Sequence, residues 1–138
     1  MYVREVMSRN VKTMDINDMI IDAIYNYRDY KISSFLIKEN NECVGIVTER
    51  DLIEKTIGLD PNTTPIGNIM TRDLITISPY EKIEKAVELM KEHKIKKLPV
   101  VSNDKKLEGI ITITDLGHCV PEMAYKVETF FWEWESLK

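Results

Sequence analysis

The strongest constraint in this chain is an internal repeat, because 138 residues contain one sequence pattern twice. Val6–Ser8 recurs as Ile69–Thr71, and Gly45–Thr48 recurs as Gly109–Thr112. The second copy has one extra residue, which falls in a polar turn between two apolar runs. A single copy of about 50 residues is at the margin for an independent core, so the two copies are expected to fold as one module.

Each copy predicts the order strand, helix, strand, strand, helix. In the first copy Val11–Met14 is a short strand, and Phe35–Lys38 and Cys43–Val47 form a strand pair. In the second copy Leu98–Val101 and Leu107–Ile111 repeat that pair, and a final helix begins near each motif threonine. Apolar residues at helical spacing mark the helix between the strands in each copy: Ile20, Ala23, Ile24 and Tyr27, then Ile83, Ala86, Val87 and Met90.

The starts of these two helices have capping signals. Asp15 is the expected cap of the first helix, with Asp18 three residues later. In the second copy Ser78 is the expected cap, Pro79 takes the first helical position and Glu81 completes a capping box.

The repeat defines the domain organisation. The first repeat spans residues 1–60, the second spans 61–118, and residues 119–138 follow as a C-terminal amphipathic helix. The segment Leu59–Pro65 contains two prolines and several polar residues, which disfavour regular structure, and it is the predicted connection. The fold class is therefore α/β (α+β), with two strand–helix–strand–strand–helix repeats and an added helix.

The pattern Gly-h-h-Thr-x-x-Asp, where h is hydrophobic, occurs once in each copy. It places Thr48 and Asp51 in the first copy, and Thr112 and Asp115 in the second, where a strand meets a helix N-terminus. Free N–H groups and the helix dipole favour an anion there, and a carboxylate can accept both hydroxyls of a ribose. The alternative is a helix cap and nothing more, since Thr-x-x-Asp is common at helix starts.

Together the repeat length, the two openings ending in Met7 and Met70, the run Ile95–Val100 and both Thr–Asp motifs resemble CBS domains, named after cystathionine beta-synthase. The resemblance covers residues 3 to about 118. It implies that two repeats pack as a pseudo-symmetric pair, often called a Bateman module. It also implies a ligand such as AMP, ADP, ATP or S-adenosylmethionine in clefts between the repeats, and pairing of two chains into a homodimer.

The resemblance also implies roles for individual residues. The two threonines of the motifs would face the ribose or phosphate, and the two aspartates would hold the ribose hydroxyls. Thr13 and Thr76 would close the sites at the ends of the first strands. The backbone of Ile32, Ser33 and Ser34 in one copy, and of Ile95, Lys96 and Lys97 in the other, would flank the adenine or phosphate.

The two sites are expected to be unequal, because Lys96 and Lys97 stand where the first copy has Ser33 and Ser34. A site with two ammonium groups should prefer phosphorylated adenosines. Leu36 also replaces the proline usual in the family. The resemblance suggests Thr112 and Asp115 as the neighbours of the lysines.

Composition limits the alternatives. The net charge of −4 argues against a generally basic surface for nucleic acid. No apolar run approaches the roughly 20 residues of a membrane span, so a cytoplasmic location and no membrane partner are expected. The two cysteines, Cys43 and Cys119, are expected to be reduced, partly buried thiols, and no metal site is predicted. No catalytic set or nucleotide-hydrolysis motif is present, so the chain is not expected to be an enzyme and requires no cofactor.

Two functions are favoured over a third, a fragment of a larger enzyme, which the resemblance leaves open because CBS pairs often occur inside larger enzymes. The first is a regulatory module that senses an adenosine-containing ligand and passes a conformational change to an unknown regulated protein partner. The second is a structural dimerisation or scaffold protein with vestigial ligand sites. Intact threonine and aspartate in both copies favour sensing. The helix residues Ile20, Ile24, Ile83 and Val87 exceed what one small unit needs, which favours a homodimer.

The C-terminal segment is rich in aromatic residues, and both tryptophans of the chain lie in it. Its apolar residues recur at helical spacing: Met123, Val127, Phe130, Trp134 and Leu137. Such a stripe predicts a helix that packs on its own module or on a dimer mate. The alternative is an aromatic docking face for a regulated partner.

Overall fold

The computed structural model describes residues 1–136 and divides the chain into two compact units. The first-repeat unit is the continuous segment Val11–Leu74. The second-repeat unit combines Met1–Asn10 with the chain from Ile75 onward. The ten N-terminal residues thus pack with the second copy of the pattern.

The first-repeat unit is a three-stranded sheet with two helices. Its elements are β1 (Thr13–Asp15), α1 (Ile20–Tyr30), β2 (Ser34–Glu39), β3 (Glu42–Thr48), α2 (Glu49–Glu54) and a short 3-10 turn (Ile66–Asn68). β1 pairs in parallel with β2, and β2 pairs antiparallel with β3. The predicted order strand, helix, strand, strand, helix is confirmed in this copy.

The second-repeat unit has a shorter sheet and more helix. A four-residue helix, Val3–Val6, comes first in the chain; the later elements are α3 (Ile83–His93), β4 (Lys97–Val101), β5 (Leu107–Thr112), α4 (Ile113–Cys119) and α5 (Pro121–Ser136). β4 and β5 form an antiparallel pair. The first strand of this copy is reduced to a single parallel bridge between Ile77 and Val100, so the repeat is only partly reproduced in strand content.

Each unit has its own apolar core. The core of the first-repeat unit contains Met14, Ile20, Ala23, Phe35, Ile37, Val47, Ile66, Ile69 and Met70. The core of the second-repeat unit contains Val3, Val6, Met7, Ile77, Ile83, Ala86, Val87, Met90, Leu98, Val100, Ile111, Ile113, Leu116 and Val127. Each core therefore includes the Ile-Met or Val-Met pair that opens the other copy.

These opening segments pair with the last strand of each hairpin. Ser8 and Ile110 exchange two backbone hydrogen bonds of 2.8 and 2.9 Å, and Thr71 and Ile46 exchange two of 2.9 and 3.0 Å. Both contacts occur next to a glycine. A Cβ added at Gly109 would lie 2.6 Å from the Ser8 carbonyl oxygen, and one added at Gly45 would lie 2.5 Å from Met70 Sδ. Glycine is thus required at this point of the motif for close packing of the opening segment.

The predicted caps of the two long helices are wrong. α1 begins after Met19 and α3 begins after Lys82, four residues beyond the predicted caps Asp15 and Ser78. Asp15 accepts a hydrogen bond from the Asn17 N–H, and Ser78 accepts one from the Tyr80 N–H, so both side chains stabilise turns that precede the helices.

The helix residues thought to be in surplus are used within their own units. Ile20 and Ile83 are fully buried, Val87 is buried, and Ile24 packs against the core of the first-repeat unit. These four residues therefore do not support a homodimer, because each of them packs in or against the core of its own unit.

The C-terminal segment forms α5, as predicted. Its Val127 is fully buried in the core of the second-repeat unit, and Met123 packs against that core. The side chains of Phe130 and Trp134, and the whole of Leu137, lie outside the described residues. The first half of the stripe therefore packs on its own module.

The close approach at Gly109 generates a stability prediction. We expect Gly109→Ala to destabilise the protein by about 1–3 kcal/mol, because the new methyl group meets a main-chain oxygen that cannot rotate away. Glu108→Ala is the matched control, since its side chain is exposed on the same strand. Urea unfolding of both variants measures the difference, and equal midpoints would contradict the required close approach.

Candidate functional site

The first Thr–Asp motif lies where β3 runs into α2. The backbone N–H of Thr48 donates to Asp51 Oδ2 at 2.9 Å, and the threonine hydroxyl lies 3.3 Å from the same oxygen. The Asp51 N–H in turn lies 3.4 Å from Thr48 Oγ1. This reciprocal capping box fixes both side chains at the helix N-terminus.

The second motif repeats this geometry where β5 runs into α4. The Thr112 N–H donates to Asp115 Oδ2 at 2.9 Å, and the hydroxyl lies 3.0 Å from that oxygen. The Asp115 N–H donates back to Thr112 Oγ1 at 3.1 Å. Both motifs are therefore helix caps, and in both the cap uses the Oδ2 oxygen of the aspartate, whereas Oδ1 takes no part in it.

In the first-repeat unit the strand pairing brings three more predicted residues to the motif. Ser34 is the direct cross-strand partner of Thr48, and the Glu49 N–H donates to the Ser33 carbonyl oxygen at 2.7 Å. Ile32 precedes them and is partly exposed. Thr13 is exposed at the start of β1, where its register partner is Leu36.

In the second-repeat unit the lysines take the corresponding places. Lys97 is the direct cross-strand partner of Thr112, and the Ile113 N–H donates to the Lys96 carbonyl oxygen at 3.1 Å. Direct partners in an antiparallel pair have Cα atoms about 4.5–5.5 Å apart. The register thus puts Lys97 beside Thr112, in the place that Ser34 has beside Thr48.

The surroundings of Lys97 differ from those of its neighbour. Lys97 is partly buried, whereas Lys96 is exposed. Burial lowers the pKa of the Lys97 ammonium, because removal from water disfavours the charged form. An anion bound nearby would offset that cost. Ile95 precedes the lysines and packs against the core, and Thr76 is exposed one residue before the Ile77 bridge.

The two motifs differ at the residue four positions after the aspartate, which the sequence reasoning missed. Lys55 Nζ lies 3.0 Å from Asp51 Oδ1, the oxygen that the cap leaves over. The equivalent residue after Asp115 is Cys119, so a thiol replaces the ammonium. Asp51 is buried at 8% exposure, whereas Asp115 is partly exposed. The i, i+4 spacing of Asp51 and Lys55 was the available signal.

The described residues also include both cysteines of the chain. Both are free thiols. Cys43 is partly buried, and this burial raises the pKa of its thiol. Cys119 is exposed, so the expectation that both cysteines are partly buried is wrong for Cys119. Among the side chains that the structure describes, no three His, Cys, Asp or Glu residues are grouped closely enough to bind a metal ion. In the described part of the chain no helix has the length and apolar character to cross a membrane.

The family model for the CBS domain matches residues 3–58 and 66–121. The chain belongs to the CBS domain family. Its two matched segments form a tandem CBS pair, as the sequence resemblance predicted.

Individual relatives are distant and mostly longer. The chain is 33% identical over 129 residues to the uncharacterized protein MK0525 of Methanopyrus kandleri, with 91% of this chain and 66% of that protein covered. It is also 33% identical over 112 residues to the inosine-5'-monophosphate dehydrogenase of Nitrosopumilus maritimus, with 80% of this chain and 22% of the enzyme covered. The chain thus spans two thirds or less of these relatives.

Among solved structures, the CBS domain pair of protein MJ0100 superimposes with a TM-score of 0.74 at 27% identity. The match covers 88% of this chain and 97% of that pair. That pair was crystallised in complex with 5'-methylthioadenosine and S-adenosyl-L-methionine. The likeness therefore links this fold to a protein that binds adenosine compounds.

Proposed function

We propose that this CBS pair is a non-catalytic regulatory module that binds an adenosine-containing ligand and passes the resulting conformational change to a protein partner. The ligand class is AMP, ADP, ATP or S-adenosylmethionine. The observation that supports this most strongly is the pair of aspartates, each fixed by a threonine cap through one carboxylate oxygen. The other oxygen is the proposed acceptor of ribose hydroxyls, and in Asp51 that oxygen also contacts Lys55 Nζ at 3.0 Å.

The motif suits a nucleoside for chemical reasons. A carboxylate accepts two hydroxyl hydrogen bonds from a cis-diol, and such charge-assisted bonds contribute roughly 1.5–3 kcal/mol each. The adjacent helix N-terminus favours a negative group through its free N–H groups. The MJ0100 pair, with adenosine compounds bound, supports the same ligand class for this chain.

The second-repeat unit is the better place for a phosphorylated ligand. The residue beside Thr112 is Lys97, whereas the residue beside Thr48 is Ser34. Phosphate oxygens near the Lys97 ammonium would gain Coulomb energy in a partly buried setting. Thr112, Asp115 and the strand start at Lys97 are therefore proposed as one anion-tolerant ribose site.

We expect Asp51→Ala/Asp115→Ala to abolish binding of adenosine compounds, because both ribose-accepting carboxylates are lost. Isothermal titration with AMP, ADP, ATP and S-adenosylmethionine measures this. Asp51→Asn/Asp115→Asn is the matched control for the helix caps, since an amide oxygen still accepts the threonine N–H while the charge is removed. A parent protein that binds none of the four ligands supports the scaffold function, and unchanged affinity in the alanine variant contradicts the aspartate assignment.

The second expected result concerns phosphate preference. Lys97→Met should reduce the preference for AMP over adenosine by about fivefold, because an ammonium near a phosphate contributes about 1 kcal/mol in a partly screened site. Lys85→Met removes the same charge from an exposed ion pair of α3 and should leave the preference unchanged. An unchanged AMP-to-adenosine ratio in Lys97→Met would contradict phosphate contact.

A homodimer is also proposed, on different residues from those that the sequence suggested. Ile53 in α2 and Ile57 in the turn after that helix are 64% and 84% exposed, and Leu59 is 41% exposed. The three residues form a cluster in the sequence, and large apolar side chains exposed to water favour a protein contact. Family resemblance to paired chains supports a second copy as the partner.

Light scattering at micromolar concentration should give a dimer mass for the parent protein. Ile53→Lys/Ile57→Lys should shift the mass toward the monomer, because two ammonium groups would be buried in the contact. Tyr30→Lys is the control, since Tyr30 is 73% exposed in the same unit but lies outside the cluster. A monomeric parent protein would overturn the proposal.

A further inference from the structure

The ribose-accepting oxygen of Asp51 already has a partner inside the protein. Lys55 Nζ lies 3.0 Å from Asp51 Oδ1, and Oδ2 of the same carboxylate is used by the Thr48 cap. Both oxygens of this carboxylate are therefore occupied by groups of its own unit. A ribose hydroxyl that donates to Oδ1 would have to share this oxygen with the ammonium, whose positive charge weakens the oxygen as an acceptor.

The ammonium is held by more than one acceptor. Lys55 Nζ also lies 3.4 Å from Thr71 Oγ1 and 3.5 Å from the Ile69 carbonyl oxygen. Thr71 is itself fixed to β3 by its two backbone hydrogen bonds with Ile46. Three acceptors from two segments thus hold the Lys55 ammonium against the Asp51 carboxylate. The side chain of Lys55 is 46% exposed, and that of Asp51 is 11% exposed.

In the described part of the second-repeat unit, the residues that correspond to these acceptors recur, but the lysine does not. Ser8 pairs with Ile110 as Thr71 pairs with Ile46, so a hydroxyl side chain recurs at that place. Val6 corresponds to Ile69 in the repeat, and Asp115 has the same cap as Asp51. At i+4, Lys55 of the first motif is replaced by Cys119 in the second.

We propose that Lys55 is the specificity-determining residue that makes the two Thr–Asp motifs unequal, because its ammonium occupies Asp51 and leaves ribose binding mainly to Asp115. This inference rests on the proposed function, and it concerns which motif binds and why. It differs from the phosphate preference at Lys97, since it acts on the ribose diol and not on the phosphate. Lys55 is a positioning residue that acts through Asp51.

The test uses AMP and 2',3'-dideoxy-AMP as probes, because they have the same charge and differ only in the ribose diol. Lys55→Met keeps the aliphatic stem and removes the ammonium. It should add a second AMP site per chain or tighten the weaker site about three- to fivefold, which corresponds to the loss of a partly exposed ion pair. Binding of 2',3'-dideoxy-AMP should change by less than about twofold.

The reciprocal variant is Cys119→Lys, which gives Asp115 the i+4 ammonium of the first motif. It should weaken AMP binding at the stronger site by the same factor of about three to five. Arg50→Met is the control for charge, since Arg50 belongs to the same helix as Asp51 but pairs with the exposed Glu54. It should leave both AMP sites unchanged. Thermal unfolding of each variant confirms that it is folded.

The outcomes separate the two proposals. If the parent protein binds AMP through Asp115, but Lys55→Met and Cys119→Lys leave both affinities unchanged, the role of Lys55 is wrong and the proposed function stands. If Lys55→Met tightens AMP and 2',3'-dideoxy-AMP equally, the lysine does not act on the diol and the inference is again overturned. If neither the parent protein nor Lys55→Met binds any adenosine compound, the proposed function and the inference that rests on it both fail.

Discussion

The structure depends on a main-chain pairing that each repeat cannot make by itself. The last strand of each hairpin accepts the opening segment of the other copy through two backbone hydrogen bonds, at Ser8 with Ile110 and at Thr71 with Ile46. A strand edge without such a partner would leave N–H and C=O groups unpaired. The close approach needs a residue without a side chain, which is why the motif begins with glycine at positions 45 and 109. The same segments deliver Met7 and Met70 to the two cores.

The pairing also positions the candidate site. In each unit the strand that accepts the opening segment leads directly into the helix capped by threonine and aspartate. The helix-cap interpretation of the motif is therefore compatible with the proposed ribose-binding interpretation. One carboxylate oxygen completes the cap, and the other is oriented by it. The residue four positions after the aspartate differs between the copies: Lys55 contacts the second oxygen of Asp51, and Cys119 stands at the corresponding position after Asp115.

The sequence was a good guide where local chemistry decides the structure. The fold class was predicted correctly. The bounds of the strand pairs and the starts of the helices after Thr48 and Thr112 were predicted within one or two residues, because apolar periodicity and a capping box act over short distances. The helix starts at Asp15 and Ser78 were wrong because both side chains stabilise turns instead. Ile20 and Ile83 were misjudged as surplus, since periodicity shows that a face is apolar but not what covers it.

The sequence by itself determined the repeat, the family and the identity of the residues that flank each motif, because these follow from spacing along the chain. Only the tertiary structure decided that Met1–Asn10 pack with the second copy, and that Lys97 stands directly beside Thr112. It also decided that the Lys55 ammonium is held by Asp51, Thr71 and the Ile69 carbonyl together. The contacts of Lys97 with Thr112, and of Lys55 with Thr71 and Ile69, join segments that are distant in sequence. Their geometry is set by strand register and core packing, which no local pattern encodes.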